Sequence, residues 1–476
     1  MILGMVAIAL AAYLAMALYQ VYKPLPPGIG EPMPLRAAEE VAFFSDETFV
    51  DAEGERRFEH AIYDEMLRLI GQAQRLIVLD VFLFNEVDVA TAGDGQPYRP
   101  IASQLTQALI ERSEEVPGLE IVVITDPINT FYGGIAPEHF AALREAGVSV
   151  IFTDLTQQRA SNPTWSGLWH LCCRWLGNSA DDGWLPSIFG TDKVTLRSYL
   201  ALLNFNANHR KTLVVDRGDE WVGLVTSANP HDASSLHSNV ALRFTGPAAR
   251  DLFETERAVA AMSGGEIPPR PASPPAREEA PDAELQVLTE GRIGEALLYA
   301  VETSEAGDRL DIAVFYLAHR ELIEALKAAQ ERGVELRVLL DPNKAAFGRE
   351  KNGIPNRQAA HELHEAGVPV RWCDTQGEQC HDKLLMKQSH QGNAELILGS
   401  ANFTRRNLDD LNLETSVRLL AADETPVMRE VAAYFERRWN NEQGRRYSVA
   451  YPQYADDSRW RYWLYRFMEA SGFSTF

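Results

Sequence analysis

The feature that most constrains this chain is that it is written twice, because a duplicated sequence folds as two like units. Arg75–Glu86 (RLIVLDVFLFNE) and Arg309–Arg320 (RLDIAVFYLAHR) both read as buried strands. The run from Leu119 through Asp126-Pro127 to Gly134 matches the run from Val334 through Asp341-Pro342 to Gly348. Phe140–Asp154 matches Ala360–Asp374, each a helix stopped at Glu-Ala-Gly and followed by a strand. Asn208–Asp216 matches Cys380–Gln388, and Leu224–Asp232 matches Leu398–Arg406. The order is the same in both copies.

Near-continuous apolar strands alternate with amphipathic stretches such as Phe58–Ile70, Ile101–Arg112 and Glu321–Arg332. That pattern predicts an α/β fold with strands covered on both faces. The expected organisation is two homologous α/β halves, 40–262 and 284–445. A Pro-rich linker, 263–283, joins them, and an aromatic-rich extension, 446–476, follows. Asp126 lies 83 positions before His209, whereas Asp341 lies 40 before His381. The first half therefore carries an insert, about 156–198, which holds Trp165, Trp169, Trp175 and Trp184. A hydrophobic fraction of 46% with 24% charged residues excludes disorder as the whole answer.

Residues 2–22 contain no charge and, as a helix, would run about 31 Å at roughly 1.5 Å per residue. That length matches a hydrocarbon core of about 30 Å. Tyr19, Tyr22 and Lys23 stand where interfacial anchors belong, and Pro24, Pro26 and Pro27 end the helix. The expectation is a single-pass transmembrane anchor. A cleaved signal peptide ending near Ala15-Met16-Ala17 is the rival, but no basic stretch precedes the apolar run. The flanking charges do not set an orientation.

Each half holds His-x-Lys at the start of a strand: His209-Arg210-Lys211 and His381-Asp382-Lys383. Alternate residues of a strand share a face, so the His and Lys of each pair point into one space. Twenty or 21 residues after each His comes a small-residue turn with Asn: Ser227-Ala228-Asn229 and Ser400-Ala401-Asn402. One His-x-Lys is a weak signal. Two, at matching places in a repeat and followed by matching Ser-x-Asn turns, predict one shared site.

In these motifs the chain resembles the phospholipase D superfamily, whose signature is His-x-Lys-x4-Asp followed by Gly-Ser/Thr-x-Asn in each half. The resemblance implies two phospholipase D-like α/β halves related by pseudo-twofold symmetry, with both motifs at one central site. It implies no metal and no cofactor. Lys211, Lys383, Ser227, Asn229, Ser400 and Asn402 would then bind the phosphate oxygens and stabilise a pentacoordinate transition state. One imidazole attacks phosphorus and the other acts as general acid and base. Leu411–Glu414 resembles the family's Asn-x-Glu, which orients a His, and the matching stretch Ser238–Ala241 lacks the Glu. The expectation is that Glu414 supports His381 as general acid/base and that His209 is the nucleophile. Asp216 keeps the motif's acid, while Gln388 stands at its counterpart and Thr226 replaces the usual Gly.

The implied activity is that of a phospholipase D or cardiolipin synthase-like enzyme, with phospholipid as substrate and a membrane as partner. Nucleic acid is disfavoured: 45 basic against 67 acidic residues give −22, and a nuclease would need a basic groove. A superfamily nuclease and a catalytically silent lipid-binding scaffold are the alternatives. Other features have plainer readings. Asp126-Pro127 and Asp341-Pro342 read as turns. His231, His237 and His390 have no counterpart in the other half and read as surface or packing residues. The insert is either a lid, a lipid-contacting hairpin or a loop packed on the core, and the aromatic C-terminal stretch packs on the domain or on a bilayer. Cys172-Cys173 and the pair Cys373 and Cys380 are expected as free thiols, with a bridge between the two clusters as the alternative.

Overall fold

The computed structural model describes residues 1–87, 97–187, 191–267, 282–346, 349–474 and 476. Two large sheets carry the fold, and seven strands of each occur in the same spatial order. In the first sheet the order is 39–50, 239–245, 220–226, 211–217, 76–81, 120–125 and 149–152, with 56–59 on the outer edge. In the second it is 283–289, 415–422, 393–399, 383–388, 309–314, 335–340 and 370–373. The second sheet gains Arg36–Ala37 at one edge and Ser448–Ala450 at the other, so both ends of the chain add strands to it. The last three strands of each ordered set run parallel, and the other pairs are antiparallel. The sheets are therefore mixed. The apolar runs are continuous because both faces are covered, as expected. One helix forecast shifts: Arg56–Glu59 is an edge strand paired with Glu47–Val50, and the helix is confined to Ile62–Ile70.

Strand alternation sorts side chains between an inner and an outer core. Val78 and Val214 face a core shared by the two halves, while Ile77, Leu79, Leu213 and Val215 face the outer helices of the first half. In the second half Leu384 and Met386 face the shared core and Leu385 the outer one. Phe43, Phe253, Leu396 and Tyr434 fill the shared layer, so the halves are fused by an ordinary hydrophobic interior. Of the expected linker, Ile267 is buried in this layer and residues 268–281 lie outside those described.

The middle residue of each His-x-Lys points away from its neighbours, as strand geometry requires. Arg210, fully buried, reaches Glu290 of the second half at 2.7 Å and Glu256 at 3.5 Å. Asp382 binds Arg438 and accepts from the Tyr434 hydroxyl at 2.8 Å. Each motif strand is thus held from behind by a buried ion pair.

Among the described residues one helix, Ile2–Tyr22, is long and apolar enough to cross a membrane. Its Tyr13, Met16, Ala17, Gln20 and Val21 turn toward the protein and the rest of its surface is exposed. The insert forms a helix, Pro163–Cys172, that packs along it. In the C-terminal helix, Arg459–Ser471, Tyr465 is buried against Phe315 and Tyr316, while Trp460, Trp463 and Phe467 are exposed. The cysteines are not free, and no bridge joins the two clusters: Cys172 pairs with Cys173, and Cys373 with Cys380.

Candidate functional site

Each histidine loop is docked on the opposite half. His209 N–H donates to Leu413 O at 2.8 Å, and His381 N–H donates to Ser238 O at 2.8 Å. The return bonds are Leu413 N–H to Ala207 O and Ser238 N–H to Gln379 O, both at 3.0 Å. These reciprocal bonds are the pseudo-twofold relation written in the backbone. They bring both histidines to the seam between the halves. In addition to burial, Lys383 depresses the His209 imidazole from across the seam, and Lys383 and Lys211 depress that of His381.

The crossed docking overturns the expected partnership of Glu414. The carboxylate lies on Nδ1 of His209, at 2.9 Å from Oε1, and not on His381. His381 Nδ1 faces Asn239 Oδ1 at 3.1 Å. Asn239 is the true counterpart of Glu414, two places earlier than the sequence match suggested, because Ser227 binds Asn239 as Ser400 binds Glu414. The residue that follows Leu413 meets the His that Leu413 holds, so partners far apart in sequence meet and near ones do not.

Two further expectations change. Ser227 gives its one hydroxyl proton to Asn239 Oδ1 and accepts from Val240 N–H; Ser400 gives its proton to Glu414 and accepts from Thr415 N–H. A hydroxyl has a single hydrogen, so neither serine has a donor left for a phosphate. Asp216 lies five residues along the strand from Lys211. It accepts from the backbone N–H groups of Gln74, Arg75 and Leu76, which fixes the entry to strand 76–81 away from the histidines.

Lys211, Lys383, Asn229 and Asn402 fit the seam. Each ammonium donates to the carbonyl of its own histidine, His209 at 2.7 Å and His381 at 2.9 Å. Among the described residues neither lysine forms an ion pair, and the side-chain oxygens of Asn229 and Asn402 are buried without a partner. Amide orientation follows the hydrogen-bond network, so either end of these two amides can meet a ligand.

Several site residues escaped the sequence reading. Phe82 packs on His209 with ring centres 4.9 Å apart, and Phe315 packs on His381 at 5.2 Å. Lys211 and Lys383 lie over these same rings, at 5.2 and 5.5 Å. Each phenylalanine directly follows the last residue of its central strand, Val81 or Val314, a place that matching the halves from Arg75 and Arg309 sets one residue out of step. His237 is not a surface residue. Its ring centre is 5.9 Å from that of His381, and its Nδ1 accepts from Gln379 N–H. Asn412 holds Ala207 N–H in the same way in the other half. His231 is buried against Asn85 O, and His390 pairs with Asp308. Asp126 and Asp341 do cap their turns, through Ile128 and Asn343 N–H, but each also binds the residue just before a site histidine. Asp126 Oδ2 takes Asn208 N–H at 2.7 Å, and Asp341 Oδ2 takes Cys380 N–H at 2.9 Å.

Burial governs the electrostatics. It lowers His209 to about 4, against the opposing pull of Glu414. It lowers Lys211 to about 7, and Lys383 and His381 well below their usual values. Burial alone would raise Glu414, but the charges and hydrogen bonds of His209, Lys211 and Ser400 hold it below the ordinary range. Burial also lifts Asp126 and Asp341 to about 7. The seam is thus rich in bases held neutral by desolvation. An anion placed among them returns their protons. His209, neutral with Nδ1–H on Glu414, presents the Nε2 lone pair that nucleophilic attack requires.

Residues 301–439 match a family model described as "Cardiolipin synthase, PLD-like domain". No curated protein sequence matches the chain. Among solved structures it is similar to phosphatidylserine synthase of Haemophilus influenzae Rd KW20. The TM-score is 0.56 at 10% identity, over 93% of this chain and 96% of that one. It is also similar to polyphosphate kinase from Porphyromonas gingivalis, with TM-score 0.47 and 12% identity over 91% and 53% of the two chains. A phospholipase D family member, Nuc, from Salmonella typhimurium matches 35% of this chain and 97% of its own, at 21% identity and TM-score 0.28. The family model thus places a phospholipase D-like domain in the second half, and the likeness to the phosphatidylserine synthase shows a shared fold over nearly the whole chain.

Proposed function

We propose that this protein is a membrane-anchored enzyme that cleaves or transfers the phosphodiester of a phospholipid through a phosphohistidine on His209. One observation carries the reading. Two His-x-Lys motifs, one from each half, stand across a single seam where, among the described residues, two lysines lack carboxylate partners and two asparagine side-chain oxygens are unbonded. That is a receptor for one tetrahedral anion with a nucleophile on one side and a proton donor on the other.

The reaction then runs in two balanced steps. Nε2 of His209 attacks phosphorus, the bond to the leaving alkoxide breaks, and the protonated Nε2 of His381 gives its proton to the departing oxygen. His381 next takes a proton from water or an alcohol. That oxygen attacks phosphorus and displaces His209. Water yields phosphatidic acid and an alcohol yields an exchanged phospholipid. Glu414 stabilises the positive charge that forms on the His209 ring. Asn239, which is neutral, leaves His381 the stronger acid of the pair. The substrate's own negative charge offsets the desolvation and cationic neighbours that otherwise keep His381 unprotonated. Lys211, Lys383, Asn229 and Asn402 stabilise the equatorial oxygens.

Phospholipid is favoured over nucleic acid by the apolar helix Ile2–Tyr22 and by the net charge of −22. The shared fold with a phosphatidylserine synthase and the family description also support it. The test uses purified full-length protein with head-group-labelled phospholipid in mixed micelles, with and without a primary alcohol. Head-group release that shifts to exchanged product when alcohol is present, and is lost in His209→Ala and in His381→Ala, is expected. Undiminished turnover in either variant contradicts the two-histidine mechanism. Cleavage of DNA with no action on lipid contradicts the substrate class.

A further inference from the structure

Helix Ile2–Tyr22 is not a free tether, because its last half is fastened to the insert. The Tyr13 hydroxyl donates to Thr164 O at 2.9 Å, and Gln20 O accepts from Ala160 N–H at 2.9 Å. Gly167 lies so close to Ala17 that a Cβ added to the glycine would stand 2.8 Å from the alanine Cβ. Small residues allow such close helix approach, and lipid-embedded helix pairs use them. Tyr13 is nine residues before the end of the helix, about 14 Å at roughly 1.5 Å per residue. The insert helix, Pro163–Cys172, therefore runs beside the last 14 Å or so of the apolar helix.

This sets a choice. If the whole apolar helix spans a hydrocarbon core of about 30 Å, the insert helix must enter the bilayer with it. If the membrane stopped short of the insert, it would hold only residues 2–12 of the described helix, about 17 Å, well under the core thickness. The insert's own chemistry selects the first. Residues 160–173 contain no Asp, Glu, Lys or Arg, while Arg159 and Arg174 bound the stretch. An uncharged run of 10–14 residues is the length of an interfacial or re-entrant segment. Leu168, Leu171, Trp175 and Leu176 are 44%, 42%, 69% and 58% exposed, a cost in water and a gain in lipid. Asn162 caps the helix through Trp165 N–H, and Cys173 N–H closes its last turn on Trp169 O. Its backbone groups are thus largely satisfied internally, as the apolar layer demands. Arg174 stacks on Trp175 at 3.8 Å, where a cation and an indole suit the head-group level.

We infer that the insert helix and the Trp175 turn are seated in a phospholipid bilayer beside the N-terminal helix, which makes the insert a second membrane contact and sets the active-site seam at the lipid surface. The proposal rests on the anchored reading above. The chain path supports the placement: Arg159 O and Ser161 N–H are bound by Asn206, three residues before His209. A cavity of about 400 Å³, lined by Gln20, Trp169, Trp175, Tyr132 and Asn206 among others, lies between the helix pair and that loop.

The experiment places an environment-sensitive fluorophore on single added cysteines in the full-length protein, reconstituted in phosphatidylethanolamine–phosphatidylglycerol vesicles that contain acyl-chain-brominated lipid. The positions are Leu14→Cys, Leu168→Cys and Glu331→Cys. Strong quenching at 14 and 168 with none at 331 is expected. Quenching at 14 but not at 168 overturns the inference and leaves the anchor standing. Absence of quenching at 14 and 168 removes the anchor as well. In a second arm, Leu168→Glu with Leu171→Glu should lower turnover of vesicle phospholipid roughly tenfold and leave turnover of a soluble phosphodiester unchanged. Equal turnover on vesicles overturns the inference, and so does a matching loss on both substrates.

Discussion

Glu414 is asked to accept three donors: Nδ1–H of His209, the Ser400 hydroxyl and the Asn407 amide. A carboxylate has two oxygens for this, and an amide has one. Glu414→Gln therefore sets an N–H against a donor and withdraws the negative charge behind His209. We expect kcat to fall on the order of 10²-fold or more, with a far smaller change in KM, measured by head-group release. Lys211 gives a pH dependence. Its ammonium is lowered to about 7 by burial, so the free protein holds the cation below that pH and loses it above. A lowered base binds its anion best at low pH. The value of kcat/KM should therefore decline as pH rises through about 7, by up to about tenfold per unit. A profile flat to pH 9 would contradict this. His209 was legible as a site residue because it recurs in a duplicated motif. Its carboxylate partner was not, since nothing local in the sequence says that loop 411–414 docks on the opposite half.

At the level of elements, the strand-to-loop transitions hold the histidines. Asp126 ties its own turn to Asn208 N–H, and Asp341 ties its turn to Cys380 N–H. In Asp126→Asn one of the two bonded N–H groups faces an amide nitrogen. The buried unpaired donor should cost about 1–3 kcal/mol, seen in chemical denaturation. Loosening of the His209 loop should lower kcat roughly tenfold. The repeated Asp-Pro was plain in the sequence as a turn. Its second task was hidden because Asn208 and Cys380 are 82 and 39 residues away. Element order and the strand cores around Ile77, Val214 and Leu385 were readable from apolar runs. The antiparallel strands of each sheet were not, because strands covered on both faces lose the alternation that marks direction and exposure. Phe58 and Glu59 of the edge strand Arg56–Glu59 read as the start of the helix, the strand's four residues being too few to show a period.

For the whole molecule, the shared core makes the halves a single unit, and the Arg210 cluster lies inside it. Arg210→Ala would leave Glu256 and Glu290 buried without their cation. We expect a loss of about 3–5 kcal/mol and one cooperative thermal transition at lower temperature. Two separate transitions would show instead that the halves unfold independently. The duplication made the two-half architecture legible from the sequence alone. The crossing of loops between halves, which sets Glu414 on His209 and Asn239 on His381, belongs to the packed molecule and to neither copy alone. The central claim is that these two imidazoles act on one phosphorus with His209 as nucleophile. It is tested most directly by stopping the protein during turnover of phospholipid and locating the phosphoryl group by mass spectrometry at neutral to alkaline pH, where phosphohistidine survives. The account predicts a phosphatidyl adduct on His209. An adduct on His381, or none on either histidine while product accumulates, would contradict it.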